Sequence, residues 1–144
     1  KTRTWLLETI ADLSPAELNK IPAGFNNNII WNLTHLIAAQ QGLCYVRAGL
    51  NPVVEEKYFS DYKSGTKPEA MIDSAEIENI KKLLFTSLDQ LEADYKNNLF
   101  TNYGLFKTRY GAEIASVDDA INFLPYHEGM HAGYITALKK IVKK

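Results

Sequence analysis

The spacing of apolar residues along the chain predicts a protein built mainly from helices. A first amphipathic helix has apolar residues at helical spacing that we expect to be buried: Trp5, Leu6, Ile10 and Leu13. Ser14 and Pro15 have the pattern of an N-cap followed by proline at the first helical position, and Glu17 completes a capping box. We expect this second helix to be short, because Pro22 and Gly24 stop it.

Two long helices are predicted in the middle of the chain. Asparagines 26–28 offer N-caps for a helix that runs to about Ala48, with Gly49 as its C-cap. A further helix begins near Ser74, which we expect to cap it, and ends at Asn97. The apolar spacing of this helix predicts the stripe that faces the core: Ile77, Ile80, Leu84, Leu88, Leu91 and Tyr95.

The last helix begins after Ser116, its predicted N-cap, and continues to the end of the chain. Pro125 removes one backbone hydrogen bond, so we expect either a kink just before His127 or a break into two helices. Residues 51–68 are irregular but include three aromatic residues, so we expect this segment to pack against the helices. Residues 99–115 are compatible with a short hairpin or an ordered loop.

Long helices joined by shorter segments predict an all-α fold, an antiparallel four-helix bundle with irregular connecting loops. The 144 residues have the usual size of one domain, so we expect residues 1–144 to form a single domain. The chain does not begin with Met, and we expect that the first helix extends by a turn or two before Lys1.

Composition and charge exclude several classes of partner. The 16 basic and 17 acidic residues give a formal net charge of -1, so there is no electrostatic reason to expect nucleic acid. No apolar run approaches the ~20 residues that span a bilayer, so we expect no membrane partner. The first residues are basic but lack the apolar segment of a signal peptide, and a single cysteine, Cys44, excludes an internal disulfide. These features favour a cytoplasmic protein.

The three histidines of the chain all lie in predicted long helices. Two of them belong to a heptad seam of the last helix, which we expect to face the interior: Ala120, Leu124, His127, His131, Tyr134, Leu138 and Ile141. An i, i+4 pair places both imidazoles on one face of the helix, as in many metal sites. His35 lies on a stripe of the helix that ends near Ala48, beside small residues that leave space for a pocket: Ala38, Ala39 and Gly42.

Each of these histidines could also be a core residue whose ring forms ordinary hydrogen bonds. Two buried histidines on one seam need partners for both ring nitrogens, and a metal ion satisfies one nitrogen of each ring at once. The pattern therefore predicts that His127 and His131 bind one divalent metal ion, with His35 as the third ligand.

Residues 127–131 match the H-E-x-x-H motif of zinc proteases, in which the glutamate is the general base. The extended protease motif needs glycine and histidine where this chain has Tyr134 and Ala137, and no Asp, Glu or His follows His131. We therefore do not expect a protease. Glu128 lies about 100° around the helix from His127, and we interpret it as a surface or supporting residue, with a catalytic base as the alternative.

Three segments of the chain, 28–36, 65–68 and 127–133, resemble in the same order the motifs of the DinB-like superfamily, also called the YfiT-like metal-dependent hydrolases. The resemblance implies a four-helix bundle, a homodimer and a three-histidine site formed by His35, His127 and His131. It implies one divalent ion, nickel or zinc, with iron or manganese as alternatives. Some members are thiol-dependent S-transferases or isomerases that use bacillithiol, mycothiol or glutathione, and many have no known activity.

Three histidines leave open positions on the metal, as in catalytic sites. We expect either a transferase that uses a low-molecular-weight thiol or a hydrolase acting on a small-molecule substrate, with a non-catalytic metal- or ligand-binding bundle as the alternative. The thiol-binding residues of the transferase branch have no counterpart that the sequence reveals. Asn32, Tyr45 and Tyr134 are candidate pocket residues, with core packing as the main alternative for both tyrosines, and we expect Cys44 to be a buried packing residue.

Overall fold

The structure, a computed structural model, describes residues 1–144 and is mainly helical. Six α-helices are present: α1 (Thr2–Ile10), α2 (Pro15–Asn19), α3 (Ile29–Gln40), α4 (Glu56–Ser60), α5 (Ser74–Lys96) and α6 (Val117–Val142). Residues 99–115 contain the short hairpin that the sequence allowed, with strands β1 (Phe106–Lys107) and β2 (Glu113–Ile114) paired antiparallel. None of the helices combines the length and apolar character needed to cross a membrane.

Two of the predicted helix starts show how local sequence sets the boundaries. The Ser14 hydroxyl accepts a hydrogen bond from the backbone N–H of Glu17, and the Glu17 carboxylate accepts one from the N–H of Ser14, so the capping box is confirmed. The start of α5 differs from the prediction. Asp73, and not Ser74, is its N-cap, because the Asp73 carboxylate accepts a hydrogen bond from the N–H of Glu76 at 2.8 Å.

The helix that was predicted to run to Ala48 is continuous but not uniform. Asn28 caps the start of α3, and after Gln40 the chain forms a π-helical turn (Gln41–Tyr45) and then a 3-10 turn (Val46–Ala48). Gly49 follows in the left-handed conformation at φ +74°, which confirms the predicted C-cap. The end of this helix is therefore as predicted, although its last two turns are not α-helical.

Helix α3 is the most deeply buried element, because it contacts α2, α4, α5 and α6. All of its residues are buried except Ala39, which is partly exposed. Helix α1 packs against α5 and α6 on the other side of the core. The aromatic segment after Gly49 packs against this core as predicted, and Tyr58 of α4 is buried there.

The buried face of α6 differs from the predicted seam. Its buried residues are Val117, Ala120, Leu124, Glu128, Ala132, Ile135, Leu138 and Val142. Tyr134 and Ile141, which were predicted to be buried, are each 37% exposed. The face is rotated because Glu128 points inwards to pair with Arg3 of α1. Arg3 is buried and Trp5 is 47% exposed, so the predicted burial of Trp5 is also wrong.

The predicted stripe of α5 is corrected in part, and of the two alternatives for α6, a kink or a break, the break is excluded. Tyr95 is 43% exposed, and Ser87 is buried in place of a residue of the apolar stripe. Ser87 is found inside because its hydroxyl is a hydrogen-bond partner of both Arg3 and Gln40. Pro125 lies within a continuous α6, so the helix does not break into two.

Candidate metal centre

Three histidines from two helices meet at one point of the structure. His35 comes from α3, and His127 and His131 lie one turn apart on α6. One nitrogen from each ring lies within 4.8 Å of the others. The ring centroids are 4.6 to 5.2 Å apart. The structure therefore brings together the three residues that the sequence predicted as ligands, in an arrangement that could hold a metal ion.

The ring of His35 is oriented by a backbone carbonyl. Its Nδ1 lies 2.6 Å from the carbonyl oxygen of Tyr62, in the segment after α4. A carbonyl oxygen only accepts, so Nδ1 carries the proton and donates it, which leaves Nε2 deprotonated. The indole of Trp31 stacks on the same ring at 4.9 Å with an interplanar angle of 9°. These two contacts fix the position of a nitrogen that is able to bind a metal ion.

The ring of His131 is oriented by the side chain of Asn32. The Asn32 amide nitrogen donates to the carbonyl oxygen of Asn28 at 2.7 Å and also to the side-chain oxygen of Asn27 at 3.2 Å. The Asn32 side-chain oxygen must therefore point to His131, and it accepts from Nδ1 at 2.8 Å. Nε2 of His131 is left without its proton, as for His35. Outer hydrogen bonds of this kind are typical of histidines that bind metals.

The ring of His127 lacks such a partner, because its buried Nδ1 forms no hydrogen bond. A buried nitrogen without a partner is often explained by an ion or ligand. Burial, together with the smaller effect of repulsion by His35, lowers the pKa of His127 to about 4 and that of His131 to about 3. Burial also lowers the pKa of His35. All three rings are neutral at pH 7, which is the form that binds a metal ion, so the residues fit one.

The histidines line a cavity of about 940 Å³. No cysteine, aspartate or glutamate joins them as a fourth ligand, and no acidic residue lines the cavity. Its wall combines aromatic side chains with four cations: Arg47, Lys63, Lys107 and Arg109. The arrangement thus has room for a small molecule beside the histidines.

Glu128, the candidate catalytic base, is buried away from the lining of this cavity. Its Oε1 accepts a hydrogen bond from Nε of Arg3 at 2.7 Å. The same guanidinium donates to the carbonyl oxygen of Leu84 at 2.6 Å and to the hydroxyl of Ser87 at 3.3 Å. Glu128 therefore links α6 to α1 and, through Arg3, to α5.

The other candidate pocket residues found in the sequence have packing roles, except for Asn32. Tyr45 is fully buried and donates to Asp94 at 2.7 Å. Tyr134 lies on the surface, with its ring 5.7 Å from that of Phe25. Cys44 is buried as predicted, and loss of solvation raises its pKa to about 12, so the thiol is a poor nucleophile.

Sequence reasoning missed two features of the site. The carbonyl of Tyr62 belongs to the backbone, so no residue type indicates it. The four cations of the wall lie in three separate segments, the 3-10 turn after α3, the loop after α4 and the hairpin. Their only signal was that residues 99–115 include Lys107 and Arg109 without an adjacent carboxylate.

Comparison with known proteins gives one finding. No curated protein and no solved structure matches the chain. The sequence model of the DinB superfamily matches residues 1–135, a range that includes the three histidines and Asn32. The chain therefore belongs to the DinB superfamily.

Proposed function

We propose that the protein is a metal-dependent enzyme that transfers a small thiol to an electrophilic substrate. One observation carries the proposal. Three neutral imidazoles line a cavity of about 940 Å³, with no fourth protein ligand beside them. Structural zinc sites are usually closed by four protein ligands, whereas catalytic sites keep an open position. A non-catalytic bundle that only binds metal, one form of the alternative considered from the sequence, would need neither the open position nor the cavity, whereas a ligand-binding bundle would need the cavity.

His35, His127 and His131 would hold one divalent ion, for which we propose nickel or zinc, with iron or manganese as alternatives. When bound, such an ion supplies Lewis acidity, which lowers the pKa of a coordinated thiol or water. The chain itself contributes orientation. The carbonyl of Tyr62 and the amide of Asn32 hold the rings of His35 and His131, respectively, in one tautomer.

The lining of the cavity supports thiol transfer over hydrolysis. A hydrolase usually needs a general base within hydrogen-bond reach of the attacking water. The lining has no aspartate or glutamate, and Glu128 is occupied by Arg3. A free thiol has a pKa of about 8.5 and water one of about 15.7. A metal-bound thiol is therefore ionised more readily without a base than metal-bound water, so the cavity as it stands suits the transferase better.

The contacts among the longer helices support the predicted bundle. α1 contacts α5 and α6, and α3 contacts the same two helices. This is the pattern of a four-helix bundle in which α1 lies diagonally opposite α3. We therefore propose the antiparallel four-helix bundle, which an experimental structure with α1 packed along α3 would contradict. The homodimer and the cytoplasmic location stay predictions.

The metal content of protein purified without an affinity tag tests the proposed function. Elemental analysis should find about one equivalent of divalent metal in the wild type and almost none in His131→Ala. Asn122→Ala is the matched control, since Asn122 is exposed on the same helix and should keep the metal. Circular dichroism establishes that all three proteins are folded.

If the wild type holds no metal even after incubation with each ion, the proposal fails at its first step. If metal is bound, single-turnover assays with thiols and electrophiles follow. Activity that is lost in His131→Ala and retained in Asn122→Ala supports the transferase. A metal-loaded protein that hydrolyses esters or amides without any thiol favours the hydrolase.

A further inference from the structure

The charge of the cavity wall differs from that of the whole protein. The chain has a formal net charge of -1, yet the cavity is lined by four cations and by no acidic residue: Arg47, Lys63, Lys107 and Arg109. These residues are far apart in sequence and are assembled only by the fold. The cavity therefore combines positive charge with the three histidines.

None of the four cations is neutralised by the protein. The ion pairs of the structure involve other basic residues: Arg3, Lys57, Lys81, Lys96, Lys139 and Lys143. Even Lys107, which lies opposite Glu113 in the hairpin, forms no ion pair with it. Unpaired like charges around one cavity repel each other and favour a bound anion.

The two arginines of the wall are held in place by uncharged partners. The Arg109 guanidinium donates to the hydroxyl of Ser64 at 2.7 Å. The guanidinium of Arg47 lies 3.8 Å from the centre of the Phe106 ring, in a cation–π contact. Both contacts leave further N–H donors for a ligand, because a guanidinium carries five of them. Arginine in this state is well suited to bind carboxylate or phosphate.

Arg109 lines the same cavity as the three histidines. A divalent ion at the histidines would add to the positive field of the arginine. An anion bound between Arg109 and the histidines would offset the positive charge of the arginine and that of the divalent ion.

Much of the rest of the wall is apolar or aromatic, although it also includes the polar side chains of Asn27, Ser64 and Thr108. Trp31, Phe59, Phe106 and Phe123 all line the cavity. A cavity with an apolar wall and a few charged groups is typical of sites for small organic molecules, and about 940 Å³ is a suitable volume. The charged groups of such a molecule would meet the cations, while its body would contact the rings.

We infer that this cavity binds a small organic acid that carries at least two negative charges, as carboxylate or phosphate groups, on an apolar body. Arg109 and Arg47 are its principal anion contacts, and Lys63 and Lys107 add charge. The inference rests on the proposed function in one respect only, namely which molecule reacts at the proposed metal centre. The binding of the anion itself depends on the cations.

Isothermal titration calorimetry with a matched pair of probes tests the inference. Phthalate is an aromatic dianion, and phthalamide is a neutral molecule of nearly the same shape. Zinc-loaded wild type should bind phthalate about tenfold or more tightly than phthalamide, because hydrogen bonds to charged groups are the stronger ones. Phenyl phosphate in place of phthalate distinguishes a preference for phosphate from one for carboxylate.

Variants identify which groups hold the anion. Arg109→Gln should weaken phthalate binding by roughly three- to tenfold. Lys82→Gln, which removes the same charge from the exposed face of α5, should leave it unchanged. Arg109→Gln should weaken phthalate binding to the same extent when it is introduced into the His131→Ala protein, which lacks a complete metal site.

Three results would overturn the inference. The first is equal affinity for phthalate and phthalamide. The second is an equal effect of Arg109→Gln and Lys82→Gln. The third is phthalate binding that depends on His131 but not on Arg109, because the anion would then bind the metal alone. A wild type without metal that still prefers phthalate would contradict the proposed function and leave the anion site in place.

Discussion

At the scale of single residues, the candidate metal centre depends on side chains that are not among its proposed ligands. Asn32 fixes the tautomer and the direction of the His131 ring through one hydrogen bond of 2.8 Å. We predict that Asn32→Leu lowers the affinity for zinc by about 10- to 100-fold, as is usual when an outer hydrogen bond to a ligand is removed. Competition with a coloured chelator measures the affinity.

Asn122→Leu is the control for this experiment, because Asn122 is exposed on α6 and does not line the cavity. Its affinity for zinc should equal that of the wild type. If Asn32→Leu also keeps the wild-type affinity, the His131 ring is held by packing alone, and the role given to Asn32 is wrong.

Cys44 gives a second residue-scale prediction, which concerns pH. Burial raises its pKa to about 12, against about 8.5 for a free thiol. Because the pKa of the Cys44 thiol is higher in the folded protein than in the unfolded chain, its contribution to the stability of the fold is complete below about pH 8.5. This contribution is lost as the pH rises towards 12. We therefore expect a thiol reagent at pH 8 to modify Cys44 only when the protein opens.

Cys44 is the only cysteine in the chain, so labelling reports on it alone. The reaction with a disulfide reagent should be slow in buffer, fast in concentrated urea, and accelerated in buffer above pH 9. Rapid labelling of the native protein at pH 8 would mean that the helix after Gln40 opens frequently, contrary to the complete burial of the thiol.

At the scale of helices, the ion pair between Arg3 and Glu128 joins α1 to α6 in the interior. Removal of one partner leaves the other charged and buried. We predict that Arg3→Met destabilises the fold by about 3–5 kcal/mol. The double variant Arg3→Met/Glu128→Leu should recover much of this loss, because both charges are then absent. Urea denaturation followed by circular dichroism gives the free energies of unfolding.

The same variants test the role of Glu128. If the losses of stability in Arg3→Met and Glu128→Leu simply add in the double variant, the two side chains are not coupled. Glu128→Gln keeps the size of the side chain and should retain the bound metal. Loss of thiol transfer in a folded, metal-loaded Glu128→Gln protein would instead support the catalytic base considered from the sequence.

How far the helices could be predicted depends on what packs around each of them. Caps such as Ser14 and Gly49 were found, because their signals are local. The buried face of α6 was predicted incorrectly, because a charged residue such as Glu128 is normally exposed unless it is paired. Its partner Arg3 lies 125 residues away. No local pattern indicates that two distant charges will be buried together. Helix α3 is buried on nearly every side, so its sequence has little alternation of apolar and polar residues. The pattern therefore does not mark which of its residues lie nearest the histidines.

At the scale of the whole molecule, the histidines could be predicted but their surroundings could not. Spacing along α6 placed His127 and His131 on one face, and His35 was the only remaining histidine. The cavity wall is formed by loops and by the hairpin, whose conformations depend on long-range packing. The positive charge of the wall became visible only when the fold brought Arg47 and Arg109 to the same cavity.

The proposed metal ion should stabilise the whole molecule, because its three proposed ligands lie on two helices that are distant in sequence. An ion that binds only the folded state adds about 2.7 kcal/mol when its free concentration is 100 times the Kd. For a chain of this size, we predict that zinc raises the Tm by roughly 5–10 °C. His35→Ala, which removes the only ligand on α3, should show almost no shift, whereas Asn122→Ala should respond like the wild type. An equal rise in Tm for His35→Ala would mean that zinc binds to α6 alone, and that the two helices are not joined through the metal.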